Sequence, residues 1–503
     1  MNSITKKYKY IDNIFFNTEI NTFVCEDDEK KWSISELRSK AQKLSHTLLN
    51  KGINCSDRVG IMCDNSSKLI IAIMGVARIG AIPVIISPKL PNSSVINILN
   101  KTQTKLVYTH VKDTESNFIK ERLTNTSDEI IAWGKNDSKR ENINIKNNNI
   151  HRNKDDIAIL LPTSGSSGNV KIVALSHSAV LNNVNSIISY MHPDQKDIFY
   201  IAKTMVHSST LIGEVFVAVT VGAKIISKNQ YVPIRSMLQR VASSKTTIMC
   251  VNPTILSLIC ETNIVGMDFP NLKSVYTSGS VATEKILKNA KKTLGKANVY
   301  NVYGLTEAGP RVAAQRYGEK NNIGSVGKAI KNVEILIINR KGKICKEGEI
   351  GEVYVKSPSI MTKYWEDEEE TNDKLKGITL KTGDLGYWDR DEELHIVGRK
   401  DEMIICGAHN INPNAVESII EQYSKGIRCS VFGIPDLILG TKIICLVKGE
   451  VDIAKLYDYC KKNLAIYECP SQIYKCDSLP LTSSGKKSRY KAMELYRSLI
   501  TRN

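Results

Sequence analysis

The sequence predicts an α/β protein. A large N-terminal domain of doubly wound α/β subdomains with a small β-rich subdomain spans residues 1–398, and a small α+β C-terminal domain spans 399–503. Three observations carry this. At 503 residues the chain is far too long for one hydrophobic core. Up to Gly295, short apolar runs of strand length alternate with segments of helical period. From Gly324 to about Val397 that alternation gives way to short strand-like stretches broken by glycine turns.

In chain order, Ser33 and Glu36 have capping-box spacing ahead of a helix that runs to about Gly52. Strand-like 59–62, helical 67–79 and strand-like 82–86 follow, the alternation of a wound sheet. An asparagine-rich passage from Lys135 to Lys154 reads as a surface linker. Apolar runs at 157–161 and 172–175 then enclose a glycine- and hydroxyl-rich stretch. Beyond it Val180, Leu181, Val184, Ile187 and Ile188 share one helical face, with Ser178 as the expected N-cap. Strands are expected at 224–226, 247–251 and 274–276, helices near 233–243 and from Pro253. Ile286, Leu287, Ala290 and Leu294 make one more amphipathic helix, closed by Gly295. After Arg399 the pattern predicts a hairpin near 402–406, a helix with Asn412 as N-cap and Pro413 behind it, strands at 428–433 and 442–447, and a helix from Asp452.

Composition narrows the class. Twelve cysteines are scattered without a Cys-x-x-Cys pair, often inside apolar runs such as Ile404-Ile405-Cys406, so they read as reduced core residues rather than disulfides or zinc ligands. The N-terminus has no apolar signal region and no stretch approaches a membrane span, so a cytoplasmic protein is expected. A net charge of +17 suits nucleotides, coenzyme A or an acidic carrier protein. Its lysines are dispersed without interleaved aromatics, so no nucleic-acid partner is expected.

The enclosed stretch reads Thr163, Ser164, Gly165, Ser166, Ser167, Gly168, Asn169, Val170, Lys171. Two glycines, four hydroxyls and a lysine suit a phosphate: the backbone can turn its N–H groups inward and the lysine adds a charge-assisted contact. A Walker A loop is excluded, because only two residues separate the glycines and Lys171 stands three beyond the second. Further on, Tyr303-Gly304-Leu305-Thr306-Glu307 ends a strand-like run, where sheets commonly present ligand-binding groups. Thr382-Gly383-Asp384 offers a carboxylate for two ribose hydroxyls, Gly398-Arg399-Lys400-Asp401 opens the last unit, and Thr482-Ser483-Ser484-Gly485-Lys486 places a lysine on a loop near the end.

In this order and at these separations the stretches resemble the adenylate-forming (AMP-binding) superfamily: acyl- and aryl-CoA synthetases, adenylation domains of nonribosomal peptide synthetases, and luciferases. The resemblance covers essentially the whole chain. It implies ATP and Mg²⁺, a small carboxylic acid as substrate, and a thiol acceptor, either coenzyme A or the phosphopantetheine of a separate acyl or peptidyl carrier protein. It further implies that Thr163–Lys171 is the phosphate loop and that Glu307, with Thr163 or Thr306, holds Mg²⁺. Asn301 and Tyr303 would flank the adenine, with the backbone of Gly279, Ser280 and Val281 on its other face. Asp384, assisted by Arg399, would take the ribose. Lys486 would reach the acid and the α-phosphate. By the same resemblance the C-terminal domain is mobile: it swings about Asp401, bringing Gly407 and Ala408 to line a thiol tunnel.

Four departures from the family pattern are visible: Val170 where proline is usual, Ile172 and Glu392 where glycine is common, and Ala408 for a second tunnel glycine. His207 matches the aromatic position that gates the acid pocket, with Ser208, Ser209, Thr277, Ser278, Gly304, Ala308 and Gly309 as further pocket candidates. Amino-acid-activating relatives place an aspartate where Ser209 stands, and a neutral hydroxyl cannot balance a substrate ammonium. An aliphatic or aromatic acid is therefore expected before an amino acid. An amino-acid adenylation enzyme and a non-catalytic nucleotide-binding protein are the alternatives. Retention of Lys171, Glu307, Asp384, Arg399 and Lys486 together argues against the second.

Overall fold

A computed structural model describes residues 7–16, 22–28, 30–109, 129–132, 152–164, 170–228, 232–262, 267–316, 319–406, 409–424, 426–436, 440–482 and 487–500. Most of the asparagine-rich passage lies outside them.

Short β-branched runs separated by helices can pair in parallel only through crossovers, and two such sheets result. The larger has nine strands, in the order Lys328–Ala329, Ala313–Ala314, Asn298–Tyr303, Ser274–Thr277, Ile248–Val251, Ile198–Ile201, Lys224–Ile226, Val24–Glu26 and Lys31–Ser33. Its pairings from Asn298–Tyr303 to Val24–Glu26 are parallel. The second has seven: Lys363–Tyr364, Val170–Ser176, Ile157–Ser164, Ile82–Ile85, Arg58–Met62, Leu106–Thr109 and Glu129–Ala132. Strand alternation covers both faces of each sheet. Ile248 and Cys250 enter the core cluster that the two sheets share, whereas Met249 and Val251 face an outer one.

Helices follow the same logic. Ser67–Arg78 is apolar on every side, and all its residues from Ser67 to Ala77 are buried, because it lies in the core that both sheets line. By contrast Ile234–Ser243 and Glu284–Thr293 bury one stripe each, through Met237, Leu238 and Val241 and through Leu287 and Ala290. The helix Ile34–Asn50 begins with the expected capping box. One cap differs from expectation. Ser176, not Ser178, opens the helix His177–Met191, accepting from the Ala179 N–H at 3.2 Å. The strand Val170–Ser176 runs directly into this helix, so its last residue already has the extended backbone that a cap requires, while Ser178 in the first turn donates to Asp155.

The β-rich subdomain is a five-stranded sheet of Glu334–Ile338, Gly351–Lys356, Thr379–Trp388, Leu375–Lys376 and Leu394–Arg399. Its last strand sets Arg399 opposite Asp384. Glu392 turns at φ +57°, which suits the glycine usual in the family's pattern. Beyond come the hairpin Ile404–Cys406 with His409–Ile411 and a sheet of Arg428–Asp436, Gly440–Lys448 and Gln472–Lys475. Helices Pro413–Ile420 and Ile453–Asn463 cover one face of that sheet and Arg489–Ile500 the other. Arg428 ties this unit to the helix Pro253–Glu261, bonding Ser257 at 2.6 Å and pairing with Glu261. Among the described residues no cysteine is disulfide-bonded, and most are buried. Among the described residues no helix is long and apolar enough to cross a membrane.

Candidate active site

One open cavity lies between the ends of the parallel strands, the β-rich subdomain and the C-terminal unit. It brings together Thr163, Lys171, Glu307, Asp384 and Arg399. At one end the Tyr303 hydroxyl, on the last residue of its strand, donates to Asp384 Oδ2 at 2.5 Å. Burial, with Asp384 beside it, holds the phenol far above its usual range, so it stays a donor. Arg399 donates to the Thr382 carbonyl at 3.0 Å and reaches Asp384 at 3.4 Å and Asp401 at 3.1 Å. Burial opposes its charge, but the two aspartates outweigh burial and keep it cationic. Gly383, at φ +75°, lets the chain pass here: a Cβ would sit 3.1 Å from the guanidinium. Asp384 is thus aimed by a donor on either side, the arrangement that recognition of a sugar diol by a carboxylate requires. The Asn301 amide donates to the Ser325 carbonyl at 3.0 Å, so its side chain is fixed by the protein itself. Gly279, Ser280 and the partly exposed Val281 line the same wall.

The hairpin of Ile157–Ser164 and Val170–Ser176 pairs Thr163 with Lys171, and the Thr163 hydroxyl donates to the Lys171 carbonyl at 3.4 Å. Lys171 Nζ meets Glu370 at 2.5 Å, from the first turn of Glu368–Lys374. The Lys171 ammonium is thus already paired with a carboxylate. Glu307 accepts from the Tyr364 hydroxyl at 2.9 Å, and Thr306 shares a hydrogen bond with Ser208 at 2.8 Å. One carboxylate with nearby hydroxyls suits Mg²⁺, which binds through one or two carboxylates and substrate phosphates rather than an all-protein cage. Among the described residues no group of three or more His, Cys, Asp or Glu side chains gathers for a metal.

Gly165, Ser166, Ser167 and Gly168, the tunnel candidates Gly407 and Ala408, and Lys486 lie outside the described residues. The described residues that flank positions 483–486, Thr482 and Lys487, line the cavity. Lys487 itself is held by Glu417 and Glu421, each at 2.9 Å.

Of the pocket candidates, His207, Ser208, Ser209, Ser278 and Gly304 line the cavity. Three do not. Thr277 is wholly buried at the end of its strand, and Ala308 is 1% exposed. Gly309 is pressed onto Ser359, where a Cβ would meet the carbonyl at 2.4 Å. Pro310 and Arg311 take their place in the lining. Sequence reasoning missed Arg311, Lys203 and Glu214. The available signal was a charge inside an apolar run, as in Leu211-Ile212-Gly213-Glu214-Val215-Phe216, which demands a partner.

Fold and site together define a two-domain α/β protein whose cavity opens at the carboxyl ends of its parallel strands, where such folds bind ligands. The chain belongs to the AMP-binding enzyme family, whose model matches residues 15–365, with the AMP-binding enzyme C-terminal domain matching 415–486. Acyl-CoA ligase sidI of Aspergillus fumigatus is 26% identical across 94% of this chain and 88% of its own length. The 2-succinylbenzoate–CoA ligase of Bacillus licheniformis is 26% identical across 92% and 95%. Tyrocidine synthase 3 of Brevibacillus parabrevis is 25% identical across 90% of this chain, which spans 7% of that protein. Among solved structures, ATP-bound MatB from Rhodopseudomonas palustris shares the fold with a TM-score of 0.88 at 21% identity, over 98% of this chain and 99% of that one.

Proposed function

We propose that this protein couples ATP to thioester formation: it activates a carboxylic acid as acyl-AMP, releases pyrophosphate, and passes the acyl group to coenzyme A or a carrier-protein phosphopantetheine. The observation that carries this is the convergence of Lys171, Glu307 and the Asp384–Arg399 pair on one cavity that Thr482 and Lys487 also line. In the first step a carboxylate oxygen forms a bond to the α-phosphorus while the bond to the pyrophosphate oxygen breaks in line. Two anions must approach, so positive charge lowers the barrier. Lys171, once freed from Glu370, holds departing phosphate oxygens, and Lys486 bridges the attacking and attacked groups. Glu307, with Thr306 or Thr163, would hold Mg²⁺, which supplies charge neutralisation on the phosphates. Asp384, oriented by Tyr303 and Arg399, fixes the ribose so the α-phosphate sits in one place. In the second step a thiolate attacks the acyl carbon and AMP leaves.

Acid-dependent exchange of pyrophosphate into ATP across a broad carboxylic-acid panel tests the first step. Exchange with at least one acid is expected, and silence throughout would revive the non-catalytic reading. Adding coenzyme A or a holo-carrier protein to the best acid separates the two acceptors.

A further inference from the structure

Behind His207 and Ser278 lies a buried cluster of charge that the ligase chemistry does not use. Arg311 is 2% exposed, the Lys203 side chain 8%, and Glu214 is wholly buried. Lys203 and Glu214 pair at 3.1 Å. Arg311 joins no ion pair among the described residues. Its Nη1 donates to Ser278 at a long 3.4 Å, and its Nε finds no acceptor. Two cations therefore face one carboxylate. The neighbouring groups do not restore the balance: burial pushes both the Tyr190 phenol and the Cys250 thiol to about 12, so neither is an anion at neutral pH. Burial also raises the Glu214 carboxyl against the pull of both cations, which weakens the one counter-charge present. An unbalanced buried cation is costly, and a protein keeps one where a ligand supplies the missing charge.

The placement suits such a ligand. Lys203, Ser278 and Arg311 line the cavity that holds Glu307. Gly213, in the π-helical turn Leu211–Phe216 that carries Glu214, lies against the guanidinium: a Cβ there would stand 3.3 Å from Nη2. Gly304 packs on the backbone of Arg311, a Cβ on it lying 3.0 Å from the Arg311 Cα. Arg311 is thus anchored against the same strand end that presents Thr306 and Glu307.

We propose that the acid this site activates carries a second negative charge, as a dicarboxylic acid does, and that its distal carboxylate docks on Arg311 and Lys203. The inference rests on the ligase reading above. A plain fatty acid leaves the surplus charge unbalanced, and an α-ammonium is repelled by it.

The test measures pyrophosphate exchange for the aliphatic dicarboxylic acids from malonic to adipic acid, for their half-methyl esters, and for chain-matched monocarboxylic acids. The best diacid is expected to exceed its half-ester in kcat/KM by about 10²-fold or more, as loss of a desolvated charge contact implies. Arg311→Met should collapse that ratio mainly through KM, and Arg311→Lys should restore part of it. Should Arg311→Met fail to fold by circular dichroism, Lys203→Met provides the same readout, and an unchanged ratio there overturns the inference. Exchange as fast with a half-ester or monocarboxylate as with the diacid overturns it while leaving the ligase reading intact. No exchange with any acid overturns both.

Discussion

Lys171 and Glu307 both contact Tyr364, the first through its ring face at 5.5 Å and the second through its hydroxyl. One aromatic side chain therefore spaces the cation proposed to receive phosphate from the carboxylate proposed to hold Mg²⁺. Asp384, the carboxylate proposed to take the ribose, is similarly oriented by Tyr303. Replacing it by Phe removes one buried hydrogen bond to Asp384, worth about 1 kcal/mol, and should raise KM for ATP roughly fivefold without changing KM for the acid. Lys486→Ala is expected to slow pyrophosphate exchange by about 10²–10³-fold while thioester formation from supplied acyl-adenylate continues. Equal loss of both steps would refute that division of labour. Lys171, Glu307, Asp384 and Arg399 could be named from the chain because each sits in a short motif whose chemistry is local. Arg311 could not, since its role depends on Glu214 and Lys203, which are distant in sequence and meet it only through burial.

The long helices and the strands were readable because capping and alternation involve neighbours a few positions apart. Ser33→Ala, which breaks a complete capping box, should cost about 1 kcal/mol in urea unfolding. Context shifted the start of His177–Met191, where an incoming strand moved the cap to Ser176. That helix also has a titratable first residue. His177 accepts from the Ile11 N–H at 3.2 Å and packs edge-on against Tyr10, pinning the N-terminal segment. Burial, reinforced by Arg152, lowers its pKa to about 3. The unfolded chain therefore binds the proton first, so this contribution to stability is complete above the ordinary histidine pKa and drains away as pH falls toward about 3. Below about pH 6 unfolding free energy should lose up to about 1.4 kcal/mol per pH unit from this group, and His177→Gln should flatten the slope. An identical slope in the variant would remove His177 as the cause.

Across the molecule, the C-terminal unit is joined to the rest through the strand Leu394–Arg399 and the Arg428 contacts with Ser257 and Glu261. Asp401 lies just past that strand and accepts from Arg399 at 3.1 Å. If the unit rotates there between the two half-reactions, Asp401→Pro should preserve pyrophosphate exchange and abolish thioester formation, since proline holds φ in one well. Loss of exchange with thioester formation intact would place the pivot elsewhere. The order of elements follows from the chain alone, because period and caps are fixed by adjacent residues, and short motifs likewise let the groups proposed to bind the nucleotide be named there. Which side chains line the cavity beside His207 emerged only on folding. Burial withdraws water from Glu214, Lys203 and Arg311 together, and whether their charges balance depends on positions in space that no stretch of the chain records.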